Sequence, residues 1–166
     1  MINEVPIRIM EASRTVTLKH PNSMDCVVYR RVLKRTAPDG SSVGGLPTLG
    51  GLAVLSPEDE PEYDYEPVGE AKILITSRFD GDVDLSDRMD SLPPDVSLQE
   101  ALIEAVEPPD FTPQKYDLVG AMPGGGVLIG FEVVGKRSSV GIYPYVTKYV
   151  IAPRDQLHDL GPWSEP

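Results

Sequence analysis

Short runs of β-branched and aromatic residues, each cut off by glycine or proline, most limit what this chain can fold into. Such runs are too short for stable helices, and they fit strands that exchange hydrogen bonds with neighbours. Val5–Met10 and Thr15–Lys19 roughly alternate apolar and polar residues, which predicts two half-buried strands. Cys26–Leu33 carries Val27, Val28, Tyr29 and Val32, and the turn Pro21-Asn22-Ser23 before it predicts a hairpin. Ala71–Ser77, Tyr116–Met122, Val127–Val134 and Val140–Ala152 read as further strands, with Gly124-Gly125-Gly126 and Gly135–Ser139 as turns. Pro144 predicts an edge or a bend in the last of these, because proline donates no ladder hydrogen bond.

One helix is expected, over Ser97–Val106. Ser97 would cap it with Glu100 three residues on, Leu98, Ala101, Leu102 and Ala105 would share a face, and Pro108-Pro109 would stop it. The expected fold is therefore β-rich with one short helix: a small barrel or sandwich forming a single domain over residues 1–166. A long excursion from about 36 to 70 interrupts it, glycine-rich from Pro38 to Gly51 and acidic from Ser56 to Pro67. A short extended tail closes the chain at about 159–166. A structureless stretch as long as the excursion is uncommon inside a compact domain and usually has a function.

Charge divides along the chain. The total is −11, yet residues 1–36 carry net +4, residues 37–110 carry −15 and the remainder balances. The total argues against a whole surface that attracts nucleic acid, while local basic patches stay open. The split admits two readings: an acidic solvated face, or opposite charges presented to neighbouring copies or partners. The apolar residues of Met1–Met10 are broken by Asn3, Glu4, Pro6 and Arg8, unlike a signal peptide. No apolar run approaches the roughly 20 residues of a spanning helix. Both features predict the interior of a cell, or a particle assembled there.

Three patterns match ligand-binding or catalytic motifs in spelling and fail in context. Gly130 to Lys136 has P-loop spacing, but Arg137 stands where Ser or Thr should ligate magnesium, and Phe131–Val134 reads as strand. Gly40-Ser41-Ser42-Val43-Gly44 spells a nucleophile elbow without the flanking strand and helix, and only His20 and His158 are available as a base. Asp80-Gly81-Asp82-Val83-Asp84 opens like a calcium loop, yet Leu85 and Ser91 occupy the positions of its glycine and glutamate. A hydrated acidic loop over Asp80–Asp90 is the simpler reading. Cys26, the single cysteine, excludes an internal disulfide and reads as a small buried residue. No catalytic residue, cofactor or metal is expected.

Interaction surfaces are the remaining candidates. Arg30, Arg31, Lys34 and Arg35 form the densest basic patch, which strand alternation divides between two faces. The acidic run Glu58-Asp59-Glu60 in a neighbouring copy would complement it. Tyr143 and Tyr145 share a face with Tyr149, suited to core packing or to an interface. Trp163, on the Pro/Gly tail, can dock on a neighbour or fold back over its own core.

The chain resembles the small β-barrel structural proteins of tailed bacteriophages that close the head, join it to the tail or terminate the tail. Three stretches carry the resemblance: a basic N-terminal hairpin through Tyr29-Arg30-Arg31-Val32, the excursion Gly44-Gly45-Leu46-Pro47-Thr48-Leu49-Gly50-Gly51, and the acidic stretch before Ala71–Ser77. The resemblance implies a ring-forming virion component, a head–tail connector or head-closure subunit assembled in the host cytoplasm. It would bind copies of itself and other virion proteins, with neither membrane nor direct nucleic-acid contact. A capsid decoration or minor capsid protein fits the same features. From another class, so does a soluble enzyme or small-ligand-binding barrel with its site near Asp80–Asp90.

Overall fold

The computed structural model describes residues 4–34, 48–49, 52–53, 62–81, 83, 97–138 and 146–154. Helix α1 spans Val5–Lys19, and the strands are β1 (Met24–Lys34), β2 (Thr48–Leu49), β3 (Leu52–Ala53), β4 (Glu62–Arg78), β5 (Gln99–Glu107), β6 (Leu118–Gly124), β7 (Val127–Ser138) and β8 (Thr147–Pro153). Six strands close into a barrel in the order β1-β4-β5-β8-β7-β6. Among the described residues the fold is β-rich with one helix, and the punctuated strand pattern predicts a β-rich chain.

The barrel consists of two three-stranded meanders, β1-β4-β5 and β6-β7-β8. Their first strands pair antiparallel, Cys26 opposite Ala121 and Val28 opposite Val119. Their third strands also pair antiparallel, Gln99 opposite Ile151 and Ala101 opposite Tyr149. Side-chain alternation then sends one set of residues inward: Cys26 and Val28, Ala71 and Ile73, Ala101 and Ile103, Val119 and Ala121, Phe131 and Val133, Tyr149 and Ile151. Alanines among branched and aromatic residues fill the narrow interior of a six-stranded barrel. Each large side chain fully buried there contributes about 1.5–3 kcal/mol.

The helix among the described residues is not where local pattern places it. Most of Ser97–Val106 lies in the barrel wall as part of β5, and Val5–Met10 and Thr15–Lys19, expected as strands, lie within α1. The N-terminal hairpin expected ahead of Arg30 is thus a helix followed by a strand. In α1, Pro6 stands in the first turn, where a missing N–H costs nothing. The hydroxyls of Thr15 and Thr17 donate to the carbonyls of Glu11 and Ser13 at 2.9 and 3.0 Å, so the threonines satisfy themselves within the helix. The His20 N–H closes the last turn on the Val16 carbonyl at 2.8 Å. Ser23 Oγ then donates to the Thr17 carbonyl at 2.5 Å, fastening the turn into β1.

Residues 31–66 form a compact unit distinct from the one made by residues 1–30 and 67–166. Within it, β2 and β3 pair antiparallel over two residues each, Thr48 opposite Ala53 and Leu49 opposite Leu52. The acidic stretch is not loop up to residue 70, because β4 begins at Glu62.

Candidate interaction surfaces

Chemistry-bearing side chains concentrate on the barrel's ends and outer face. The connection from β5 to β6 packs against the barrel, with Pro113 fully buried, Tyr116 and Asp117 nearly so, and Phe111 packed on the core. Arg30 follows Val28 on the inward set of β1 and meets Asp117 there: its Nη2 lies 3.2 Å from Asp117 Oδ2 and donates to the Thr112 carbonyl at 3.0 Å. Asp117 Oδ2 also accepts the Gln114 N–H at 2.8 Å, so one carboxylate holds both the turn and the strand.

A bulge in β7 between Val133 and Gly135 shifts the alternation by one residue. Lys136 therefore pairs with Tyr149, its ammonium 5.7 Å from the ring centroid. Burial lowers the Lys136 pKa, Arg30 lowers it further, and Asp117 partly offsets both. Burial also raises the Tyr149 hydroxyl pKa, with Glu104 and Asp117 adding to it. The same bulge turns Val134 outward into a second apolar cluster with Phe79, Val150 and Ala152.

On the outer face Glu100 joins four strands. It accepts from Arg137 at 2.8 Å, Lys148 at 3.2 Å and Ser77 Oγ at 3.3 Å. Burial pushes its pKa up, but the Lys148 hydrogen bond and the charges of Lys148 and Arg137 outweigh this and hold it below the usual carboxylate value. Glu104 differs: burial raises its pKa, and Arg14, 4.0 Å away, offsets only part of that. Glu132, buried on β7, pairs with Arg154 at 2.5 Å.

Two clefts lie beside the barrel. One, about 430 Å³, has Phe79, Val83, Val134 and Val150 as apolar walls and Lys115 and Lys136 among its other lining residues. The other, about 460 Å³, lies where α1 meets the barrel, lined by Met10, Arg14, Glu104, Phe111, Thr147 and Tyr149. β5 pairs with β8 through Gln99, Glu100 and Ala101, and its later residues Ile103, Glu104 and Ala105 line this cleft beside α1.

Of the residues singled out by sequence, Arg30 is engaged within its own barrel. Arg31 is half-buried in β1, and Lys34 ends that strand. Arg35, Glu58, Asp59, Glu60, Tyr143, Tyr145 and Trp163 lie outside the described residues, as do Ser42, Pro144 and most of the Asp80–Asp90 loop. Tyr149, grouped with Tyr143 and Tyr145 by spacing, is buried in the core. Gly130–Lys136 lies entirely within β7, where its amides belong to a sheet, and Gly135 is a bulge position, not part of a turn. Cys26 is buried, and burial first, then Asp25, pushes its thiol up to about 12 against a smaller opposing effect of Lys72. Among the described residues no group of three His, Cys, Asp or Glu side chains is placed to hold a metal ion. No helix among them is long and apolar enough to cross a membrane.

The Asp117, Glu100 and Glu132 pairs escape sequence reading because their partners are 87, 37 and 22 residues away. Strand parity on β5 is the one local signal, placing Glu100 and Glu104 on the face opposite Ala101, Ile103 and Ala105. No protein family, no curated protein and no solved structure matches the chain.

Proposed function

We propose that this chain is a structural subunit of a tailed-phage virion, a ring-forming head–tail connector or head-closure protein that works through protein–protein contacts. One observation carries the reading. The barrel interior is filled by its own side chains, while large apolar residues stand exposed outside it: Val127 and Ile129 on the β6–β7 hairpin, Val5, Ile9 and Val16 on α1. Scattered exposed apolar residues are ordinary on a surface, but aligned sets on projecting elements suit docking. The charge split supports the same reading, because opposite patches on copies of a −11 chain would steer them into register. The charge and the outer position of these surfaces also fit partners that are other proteins of the particle. Light scattering on the purified chain, followed by electron microscopy, tests it: closed rings, or joining of a larger particle, are expected. A monomer that joins no larger assembly overturns the reading.

A second reading rests on the 430 Å³ cleft, whose apolar walls stand beside Lys115 and Lys136. That pairing suits a small amphipathic anion, and the chain would then be a ligand-binding barrel. A rise in Tm with decanoate, absent in a Lys136→Ala variant, favours this reading; no shift discards it.

A further inference from the structure

Helix α1 turns Pro6 and Thr17 to the inside and leaves Val5, Ile9 and Val16 59%, 41% and 50% exposed. At about 100° per residue, these three and exposed Ala12 fall within roughly 60° of one another, a stripe about 16 Å long. Its outer edge is cationic, with Arg8 and Lys19 both exposed beside it. Glu11 is 4.0 Å from Arg8 in an exposed pair worth little.

A partner for this face must be apolar in part and acidic beside it. We infer that α1 docks on a second copy of this chain, with Arg8 and Lys19 meeting the acidic segment of β4. Asp64 and Glu66 are both exposed there, and strand alternation places them on one face about 6.7 Å apart. The two surfaces differ, so the contact is head-to-tail, the kind that closes into a ring when its rotation permits. The inference rests on the reading of the chain as an assembling structural subunit and names the surfaces it uses.

The test is sedimentation velocity on the full chain, with circular dichroism to check folding. Ile9→Asp with Val16→Asp, and separately Arg8→Glu with Lys19→Glu, are expected to leave the fold intact. Each pair should raise the self-association constant for dissociation by about tenfold or more. Asp64→Lys with Glu66→Lys should do the same, and combining the two charge reversals should recover most of the loss. Stripe variants that assemble like the wild type overturn the α1 interface and leave the assembly reading standing. Dissociation by the stripe variants without charge-swap recovery overturns β4 as the partner. A wild type that is monomeric alone but joins a larger particle overturns the second copy as occupant, and one that joins nothing overturns both readings. Stripe-dependent binding to phosphatidylcholine–phosphatidylserine vesicles, with no self-association, makes the face a lipid surface and also overturns the inference.

Discussion

Arg30 Nη2 lies 3.2 Å from Asp117 Oδ2, joining β1 to the turn before β6 across 87 residues of chain. Asp117 is 2% exposed and Arg30 about one-third exposed, so the pair is wet on one side only. A buried carboxylate that loses its cation is left uncompensated, which costs more than an exposed pair contributes. Arg30→Ala should therefore destabilise the fold by about 3 kcal/mol in urea unfolding. Asp117→Asn keeps an acceptor for the Gln114 N–H and should cost less. A cost for Arg30→Ala within error of zero would place the carboxylate's compensation elsewhere.

Glu100 predicts an acid limb. Its folded pKa is below the ordinary carboxylate value, chiefly because Lys148 and Arg137 outweigh burial. A depressed folded pKa contributes stability above the unfolded pKa, and that stability is lost as pH falls through the folded value. Glu104 has the opposite sign: its raised folded pKa disfavours folding at neutral pH and relaxes as pH falls. Tm measured from pH 7 to pH 3 should fall less steeply in Glu100→Gln than in wild type. Glu104→Gln should steepen the same fall, by removing a contribution that grows toward acid.

Cys26 should resist labelling. Its thiol is 1% exposed and pushed up to about 12, so thiolate and access are both scarce in the folded state. Reaction with a chromogenic disulfide at pH 8 should proceed only at the rate of opening, and should become immediate in denaturant. Rapid labelling of folded protein would contradict the placement of β1 in the barrel wall.

Gly69 is constrained by space. A Cβ there would strike the Glu107 carbonyl oxygen, and would come within 2.7 Å of Pro108 and 2.8 Å of Phe111. The carbonyl is backbone and cannot swing aside, so Gly69→Ala should cost about 2–3 kcal/mol, as overpacking typically does. Gly125 makes the contrast: its φ of +66° sits in open space, so Gly125→Ala should cost only about 1 kcal/mol. Chemical denaturation of the two variants side by side measures the difference.

Where a strand alternates and a turn follows it, sequence and structure coincide. Cys26–Leu33 lies within β1, Ala71–Ser77 within β4, and Gly124-Gly125-Gly126 makes the β6–β7 turn with positive φ at all three positions. Gln99–Glu107 departs from its local pattern because Ala101, Leu102 and Ile103 are consecutively buried, which erases alternation and imitates a helical face. Helix propensity there is worth tenths of a kcal/mol per residue, less than the burial and strand pairing that close the barrel. Val5–Lys19 departs in the other direction. Its alternating ends suit a strand locally, but Val5, Ile9, Ala12 and Val16 also recur at helical spacing, and the two templates overlap.

By itself, the sequence determined that the chain is β-rich, where most strands lie, that its charge is divided, and that Cys26 has no disulfide partner within the chain. Tertiary structure alone decided which segment became the helix, that the strands close as two meanders joined first to first and third to third, and which charges meet. The reason is range. Alternation and turn chemistry act over a few residues, whereas barrel closure and the Arg30–Asp117 and Glu100–Arg137 pairs depend on register between strands far apart in the chain.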